Sequence, residues 1–270
     1  MTLIYELRTF MAVVAPGRNN SGHHSTRGVT VVARHRDLSA ASEPDTPAGN
    51  ARPPQRITAL ATAAVALLVI ALTAWLAGAP RAEVAQTGLV KWFNNPPQPI
   101  DTLFAVVNPL CRPIPLVVLA ILFIIWVLLA ARDMPIRREL ARAAIIALIL
   151  AELMAQIAKH IASQPRPLAV IPGIDDHGYP TQPHGNAYPS AHAAAVVSLV
   201  AGIWPWVRWP QRVVGVSAAV LVSLNRLYIG AHWPIDIVGG FAIGMLAASI
   251  TWLVAARWPI HRRRKPNARP

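Results

Sequence analysis

Six runs of apolar residues constrain this 270-residue chain more than any other feature of its sequence. Three of them come close to the roughly 20 residues that a helix needs to cross a bilayer, namely residues 57–79, 114–131 and 140–161. The other three are residues 193–207, 213–224 and 235–256, of which the first two are short. The pattern predicts an all-α membrane protein with six transmembrane helices. For the two short runs, a buried helical hairpin that does not cross the membrane is the alternative.

The composition supports a membrane protein. Hydrophobic residues make up 54% of the chain and charged residues 14%, whereas roughly 25% charged residues are usual in a soluble domain. This low charged fraction argues against an ordinary soluble enzyme. The single cysteine, Cys111, excludes an intramolecular disulfide framework and a cysteine-ligated zinc site.

The basic residues predict the orientation of the helices. The formal net charge is +13, and 19 of the 25 Lys and Arg residues fall on the side of the predicted bundle that carries both termini. Cytoplasmic loops of membrane proteins carry such an excess, so both termini are predicted in the cytoplasm. The basic charge is therefore interpreted as a topology signal, and no nucleic-acid partner is expected.

The chain divides into three predicted regions. Residues 1–56 are basic and polar without apolar periodicity, which predicts a disordered cytoplasmic tail. Residues 57–258 form the transmembrane domain, and the basic tail at 259–270 is expected to lie on anionic headgroups. In the first outer loop, residues 100–107 carry apolar side chains at i, i+3, i+4 and i+7, so a short interfacial helix and a packed loop are both open.

Three polar clusters follow on the outer side. In the first, Lys159 and Arg166 flank a helix end that Pro165 and Pro167 define, so both cations can converge on one oxyanion. Cations that extend to the membrane interface are the alternative. In the second, Ser190 is a natural N-cap, and the free amides near Ala191 and His192 suit a phosphate.

The third cluster places His232 and Asp236 four residues apart at the start of the sixth helix, with Pro234 in its first turn. The carboxylate can hold one imidazole nitrogen and leave the other free to attack phosphorus. Arg226 is placed to hold the same phosphate. The alternatives are a plain capping serine in the second cluster and a simple helix-start charge at Asp236.

Together the three clusters resemble the type 2 phosphatidic acid phosphatase superfamily. Its pattern is Lys-x6-Arg-Pro, then Pro-Ser-Gly-His, then Ser-Arg-x5-His-x3-Asp, and it aligns with residues 159–167, 189–192 and 225–236. Two positions depart from it, since Ala191 replaces glycine and Asn225 replaces serine. If the glycine were needed for positive φ, Ala191 would be strained; Asn225 can still form hydrogen bonds.

The resemblance implies a phosphatase on a six-helix bundle. His232 would be the nucleophile, Asp236 its orienting carboxylate and His192 the acid that protonates the leaving oxygen. The phosphoryl group would be held by four side chains and a helix-start amide, from Lys159, Arg166, Ser190, Arg226 and Ala191. A phosphohistidine would form, without a metal or other cofactor.

A rival metal site could use the loop residues Asp175, Asp176, His177 and His184, although their spacing matches no strong metal motif. Glu152 is a carboxylate at membrane depth, predicted to bond to Gln156; a functional role and a structural one are both open.

The expected substrate is a lipid phosphate or diphosphate at the outer face of the cell membrane. Polyprenyl diphosphate, phosphatidylglycerophosphate and phosphatidic acid are all open, and the sequence does not indicate an oligomeric state. A phosphotransferase that passes the phosphoryl group to a lipid or sugar is one alternative. A non-catalytic membrane phosphate-binding or transport protein is another.

Overall fold

The computed structural model describes residues 54, 56–132, 136–161, 163–178 and 185–257. All described residues belong to one compact unit. The predicted tail at residues 1–56 lies outside the described residues except for Pro54 and Arg56. The predicted tail at 259–270 lies outside them completely, so both remain predictions.

The described residues form α-helices and contain no β-strand, which confirms the all-α prediction for this part of the chain. In chain order the helices are α1 Arg56–Ala77, α2 Pro80–Asn94, α3 Ile100–Val107, α4 Pro113–Ala130, α5 Arg137–Ile161, α6 Pro167–Val170, α7 Ala191–Ile203, α8 Trp209–Tyr228 and α9 Pro234–Ala255. Single 3₁₀ turns follow α3 at Asn108–Cys111 and α7 at Trp204–Trp206.

A helix is found at each of the six predicted apolar runs, namely α1, α4, α5, α7, α8 and α9. Four of these, α1, α4, α5 and α9, are long and apolar enough to cross a membrane by their length and composition. Helix α7 has 13 residues, and α8 contains Arg212 and Arg226. The count of six spans and the orientation of the termini therefore remain predictions. Of the two alternatives for residues 100–107, a helix is present as α3.

Helices α5, α7 and α9 form the centre of the bundle, where small residues allow close approach. On α9, an added Cβ at Gly240 would lie 2.5 Å from the Ser190 carbonyl oxygen, and one at Gly244 would lie 2.8 Å from that of Ala194. Further along, Trp252 donates to the carbonyl oxygens of Ala201 and Gly202. Helices α7 and α9 therefore run parallel, and their amino ends lie side by side.

Helix α5 runs antiparallel to this pair. Its buried face carries alanines at every fourth residue, Ala143, Ala147, Ala151 and Ala155. An added Cβ at Gly202, near the end of α7, would lie 2.6 Å from the Ala147 side chain in the first half of α5. The carboxyl end of α5 and the amino ends of α7 and α9 thus meet at one end of the bundle. The three polar clusters of the sequence lie at these helix ends.

Candidate active site

A cavity of about 600 Å³ opens at this end of the bundle. Six of the eight predicted site residues line it, namely Lys159, Arg166, Ala191, His192, Arg226 and His232. The other two, Ser190 and Asp236, are fully buried next to this lining. Apolar residues of α4, Pro113, Leu116 and Val117, complete part of the wall. Three stretches that are distant in sequence thus contribute to a single cavity.

Backbone contacts join the first cluster to the third. The Trp233 indole donates a 2.8 Å hydrogen bond to the carbonyl oxygen of Pro165, and the Leu168 amide donates to that of Gly230 at 3.0 Å. The Arg166 guanidinium lies 3.4 Å from the carbonyl oxygen of Ala231, to which it donates. Arg166 is therefore fixed beside the loop that carries His232.

The amino end of α7 has the cap that the sequence predicted. Ser190 has extended backbone geometry, and its Oγ accepts a hydrogen bond from the Ala193 amide at 3.4 Å. The Ser190 amide donates to the backbone oxygen of Asp236 at 3.1 Å, which joins the starts of α7 and α9. Among the described non-glycine residues, positive φ is found at His177. Ala191, the first residue of α7, does not have it. The departure from glycine at this position therefore produces no backbone strain.

His232 and Asp236 form a buried pair. The Nδ1 atom of His232 lies 3.4 Å from Oδ2 of Asp236. This oxygen also accepts a 2.7 Å hydrogen bond from the Trp233 amide at the start of α9. Because Oδ2 acts as an acceptor, Nδ1 is the nitrogen that donates and Nε2 is the one left for a ligand.

The surroundings of His232 keep its imidazole neutral. Burial lowers its pKa well below the ordinary value of 6.5, and the positive charges of Arg166, Lys159 and Arg226, with His192 beside them, lower the pKa further. An uncharged imidazole has a lone pair on Nε2, which is the form required for nucleophilic attack.

Arg226 is held close to His232 by a tight turn. The backbone oxygen of Arg226 accepts hydrogen bonds from the Ala231 amide at 3.0 Å and the His232 amide at 3.3 Å. Gly230 makes this turn possible with φ of +62°, and an added Cβ there would lie 2.4 Å from the Ile174 side chain. The Arg226 side chain is 2% exposed. It donates to the Cys111 carbonyl oxygen at 3.1 Å and to Oδ1 of Asn225 at 2.7 Å.

The rival metal cluster is not assembled in the described part of the chain. Asp175 and Asp176 accept hydrogen bonds from the backbone amides of His177 and Gly178, and the His177 ring stacks on Tyr228 with 3.8 Å between centroids. His184 lies outside the described residues. Among those that are described, no three His, Cys, Asp or Glu residues form a group that could hold a metal ion.

Glu152 and Gln156 also line the cavity. Gln156 donates a 2.5 Å hydrogen bond to Oε1 of Glu152, which confirms the contact predicted from their i,i+4 spacing. Gln156 was not among the predicted site residues. Its signal was its position on the same face of α5 as Lys159, one turn nearer the centre of the helix.

The fold and the cavity define a helical membrane protein whose site combines three cations, two histidines and a helix amino end, a set suited to phosphate. Residues 140–259 match the model of the PAP2 superfamily. This segment contains all eight predicted site residues.

Relatives with assigned names agree with this family. The chain is 26% identical over 132 residues to an undecaprenyl-diphosphatase of Sulfolobus acidocaldarius, covering 46% of this chain and 60% of that protein. It is 28% identical over 164 residues to a putative undecaprenyl-diphosphatase of Escherichia coli K12, and the match covers 59% of this chain and 76% of that protein. A lipid A 1-phosphatase of Rhizobium etli is 28% identical over 94 residues, covering 30% and 40%. The match thus spans less than two thirds of the first of these relatives.

Two solved structures share the fold. The transmembrane PAP2 type phosphatidylglycerolphosphate phosphatase of Bacillus subtilis superimposes with a TM-score of 0.57 at 16% identity, covering 74% of this chain and 99% of that one. Aquifex aeolicus LpxE superimposes with a TM-score of 0.50 at 23% identity, covering 62% and 94%. At these identities the likeness concerns the fold alone.

Proposed function

We propose that this protein is an integral-membrane phosphatase that hydrolyses a lipid phosphate or diphosphate through a phosphohistidine. The observation that carries the proposal is the shared cavity of His232 and His192 with Lys159, Arg166 and Arg226. A nucleophile, a proton donor and three cations thus surround one space large enough for a phosphate headgroup.

In the first step, Nε2 of His232 attacks phosphorus, a P–N bond forms and the P–O bond to the lipid breaks. Burial and the three cations lower the pKa of His192 to about 3, and the negative charge of the bound phosphate raises it again, so that His192 is protonated and donates a proton to the departing oxygen. Asp236 holds the Nδ1 proton of His232 and stabilises the positive charge that develops on the ring. In the second step, water attacks phosphorus, His192 takes its proton, and the P–N bond breaks to release phosphate and neutral His232.

The cations stabilise the charge on the transferring group. A phosphoryl transition state distributes negative charge over its three equatorial oxygens, and catalysis is mainly positioning and charge stabilisation. Lys159, Arg166 and Arg226 supply three positive charges, and the amides at Ala191 and His192 add donors at the start of α7. Because these groups can neutralise the phosphate, the proposed mechanism has no metal.

The substrate is proposed to be a membrane lipid, with its headgroup in the cavity and its chain along α4. The cavity wall includes Pro113, Leu116 and Val117, and α4 is covered with exposed apolar side chains, Ile114 being 80% exposed. The named relatives point to polyprenyl diphosphates and other lipid phosphates as first candidates. The distribution of basic residues supports a site on the extracytoplasmic side of the cell membrane.

The proposal is tested with detergent-purified protein and a panel of labelled lipid phosphates: undecaprenyl diphosphate, phosphatidylglycerophosphate, phosphatidic acid and lipid A. We expect the wild type to release labelled inorganic phosphate from at least one of them. His232→Ala should abolish both this release and the protein-bound label that the wild type shows after rapid acid-free quenching. His160→Ala is the matched control, because His160 follows Lys159 in sequence but does not line the cavity.

His192→Ala separates the two steps. With a lipid substrate, this variant should slow departure of the lipid alcohol. With an aryl phosphate, whose leaving group needs no proton, labelled protein should accumulate because hydrolysis of the phosphohistidine still requires a base. Equal phosphate release by wild type and His232→Ala would overturn the proposed nucleophile. Transfer of the label to an added lipid or sugar instead of water would indicate a phosphotransferase.

A further inference from the structure

Two buried asparagines connect Arg226 to a neighbouring loop. The Arg226 guanidinium donates to Oδ1 of Asn225 at 2.7 Å. The Nδ2 atom of Asn225 donates to Oδ1 of Asn108 at 3.4 Å, and Nδ2 of Asn108 donates to the carbonyl oxygen of His177 at 3.1 Å. Asn225 is fully buried and Asn108 is 4% exposed. Four residues from three distant parts of the chain therefore share one line of hydrogen bonds.

The direction of each hydrogen bond in this line follows from chemistry. An arginine only donates, so the oxygen of Asn225 must face Arg226 and its amino group must face Asn108. The amino group of Asn108 must in turn face the carbonyl oxygen of His177, which only accepts. An amide side chain is thus required at both positions if every contact is to be kept.

The far end of the line is itself fixed. Asn94 donates from Nδ2 to the backbone oxygens of Asp175 and Tyr228, at 2.7 and 2.6 Å, and its own backbone oxygen lies 2.8 Å from Nε2 of His177. The loop at residues 171–178 is therefore attached to the end of α2 and to the end of α8. Asn108 joins this anchored loop to the residue that holds Arg226.

We propose that Asn225 is a positioning residue for Arg226, and that Asn108 holds Asn225 in the orientation this requires. The inference rests on the proposed function to the extent that Arg226 is taken to hold the phosphate. A long arginine side chain has several rotatable bonds, and a hydrogen bond from its charged head to an amide oxygen restricts them. Without Asn225, the guanidinium loses one of the acceptors that set its position in the cavity.

This assignment was not available from the sequence. Asn225 departs from the serine of the family pattern, and the departure looked minor because both side chains form hydrogen bonds. A serine hydroxyl sits closer to the backbone than an amide group. It cannot reach Asn108 and Arg226 from the same backbone position over the distances that Asn225 spans. The asparagine at 225 and the asparagine at 108 are therefore expected to work as a pair.

The variants follow from the chemistry of each contact. Asn225→Leu keeps the shape of the side chain and removes both contacts, and we expect kcat/KM to fall about ten- to hundredfold, as for a displaced catalytic group. Asn225→Asp keeps an acceptor for Arg226 and should lower kcat/KM much less. Asn108→Leu should also lower kcat/KM, but by less than Asn225→Leu does. Ser223→Ala is the matched control, because Ser223 is buried on the same helix and donates within it to the Ala219 carbonyl oxygen.

A double-mutant cycle distinguishes positioning from a general effect on folding. If Asn225 acts through Arg226, then Asn225→Leu should lower kcat/KM strongly in the wild type and hardly at all in an Arg226→Ala background. The same cycle is measured for the affinity of inorganic phosphate, which is detected as the rise in melting temperature that phosphate causes. If Asn225→Leu does not fold, Asn225→Ser takes its place in the cycle.

The outcomes separate this inference from the proposed function. Equal losses from Asn225→Leu in both backgrounds overturn the positioning role and leave the phosphatase in place. A wild type that binds phosphate but releases none from any lipid overturns the phosphatase, and the affinity cycle then decides the role of Asn225. A wild type that binds no phosphate overturns both.

Discussion

The Oδ2 atom of Asp236 accepts a 2.7 Å hydrogen bond from the Trp233 amide and lies 3.4 Å from Nδ1 of His232. One carboxylate oxygen therefore contacts both the start of α9 and the proposed nucleophile. The first contact is a helix cap that stabilises the fold, and the second orients an imidazole. Because the two contacts depend differently on charge, substitutions at this residue can separate them.

Asp236→Asn and Asp236→Ala should differ in stability but not in the loss of activity. Asparagine keeps an oxygen for the Trp233 amide but removes the negative charge beside His232, so we expect a near-normal melting temperature and a fall in kcat of about a hundredfold or more. Alanine also removes this capping-box contact from the third helical position and should lower the free energy of unfolding by about a further 0.5–2 kcal/mol, the range typical of helix-capping side chains. Phosphate release and thermal unfolding in detergent measure the two effects. An active Asp236→Asn protein would exclude the orienting role.

The lowered pKa of His232 predicts a loss of stability in acid. In the unfolded chain this histidine binds a proton below about pH 6.5, whereas burial and neighbouring cations keep it neutral in the folded protein. Unfolding then takes up a proton, so the free energy of unfolding falls as the pH falls below 6.5. At pH 5.5 this proton uptake lowers the free energy of unfolding by on the order of 1 kcal/mol.

His232→Gln tests this, because glutamine does not titrate. We expect the melting temperature of the wild type to fall more than that of His232→Gln between pH 7.5 and 5.5, as followed by tryptophan fluorescence. Parallel curves for the two proteins would show that His232 gains a proton equally in the folded and unfolded states.

Much of the helical framework could be predicted from the sequence, because a long apolar run directly predicts a helix that crosses a bilayer. The polar ends of such helices are harder to predict. Helix α8 extends from Trp209 to Tyr228, beyond the predicted residues 213–224, because its polar ends carry Gln211 and Arg226, which interrupt the apolar run but are buried in the folded protein. Helix α2 was not predicted, since Arg81, Glu83 and Lys91 leave it no apolar run.

The site residues could be predicted because their spacing within each cluster is local and chemically specific. The residues that support them could not, because their partners are far away in the chain. Gln86 accepts a hydrogen bond from the Ile235 amide at the start of α9, 149 positions later. Asn108 contacts Asn225 across 117 positions. Neither Gln86 nor Asn108 belongs to any local motif, so only the folded chain brings them to the site.

Chelation of divalent metal ions should leave the phosphatase active. In the proposed mechanism Lys159, Arg166 and Arg226 neutralise the phosphate, so treatment with EDTA followed by desalting should leave kcat unchanged within about twofold, well short of the several kcal/mol that a catalytic metal contributes. Phosphate release is measured before and after treatment. Lost activity that returns when Mg²⁺, Mn²⁺ or Zn²⁺ is added would contradict the prediction and would require a metal in the mechanism.

The contact between α7 and α9 predicts that Gly240→Ala impairs both stability and activity. The new Cβ would lie 2.5 Å from the Ser190 carbonyl oxygen and 3.0 Å from the Ala193 side chain, so the start of α7 would have to move. Overpacking of this kind costs about 1–3 kcal/mol, and displacement of Ser190 and the adjoining His192 should lower kcat as well.

Gly88→Ala on α2 is the matched control, because an added Cβ there has nothing within 4 Å. That variant should leave kcat unchanged and raise stability by about 0.5–1 kcal/mol, the usual gain from replacing glycine within a helix. Wild-type melting temperature and kcat in Gly240→Ala would show that α7 does not depend on this close approach.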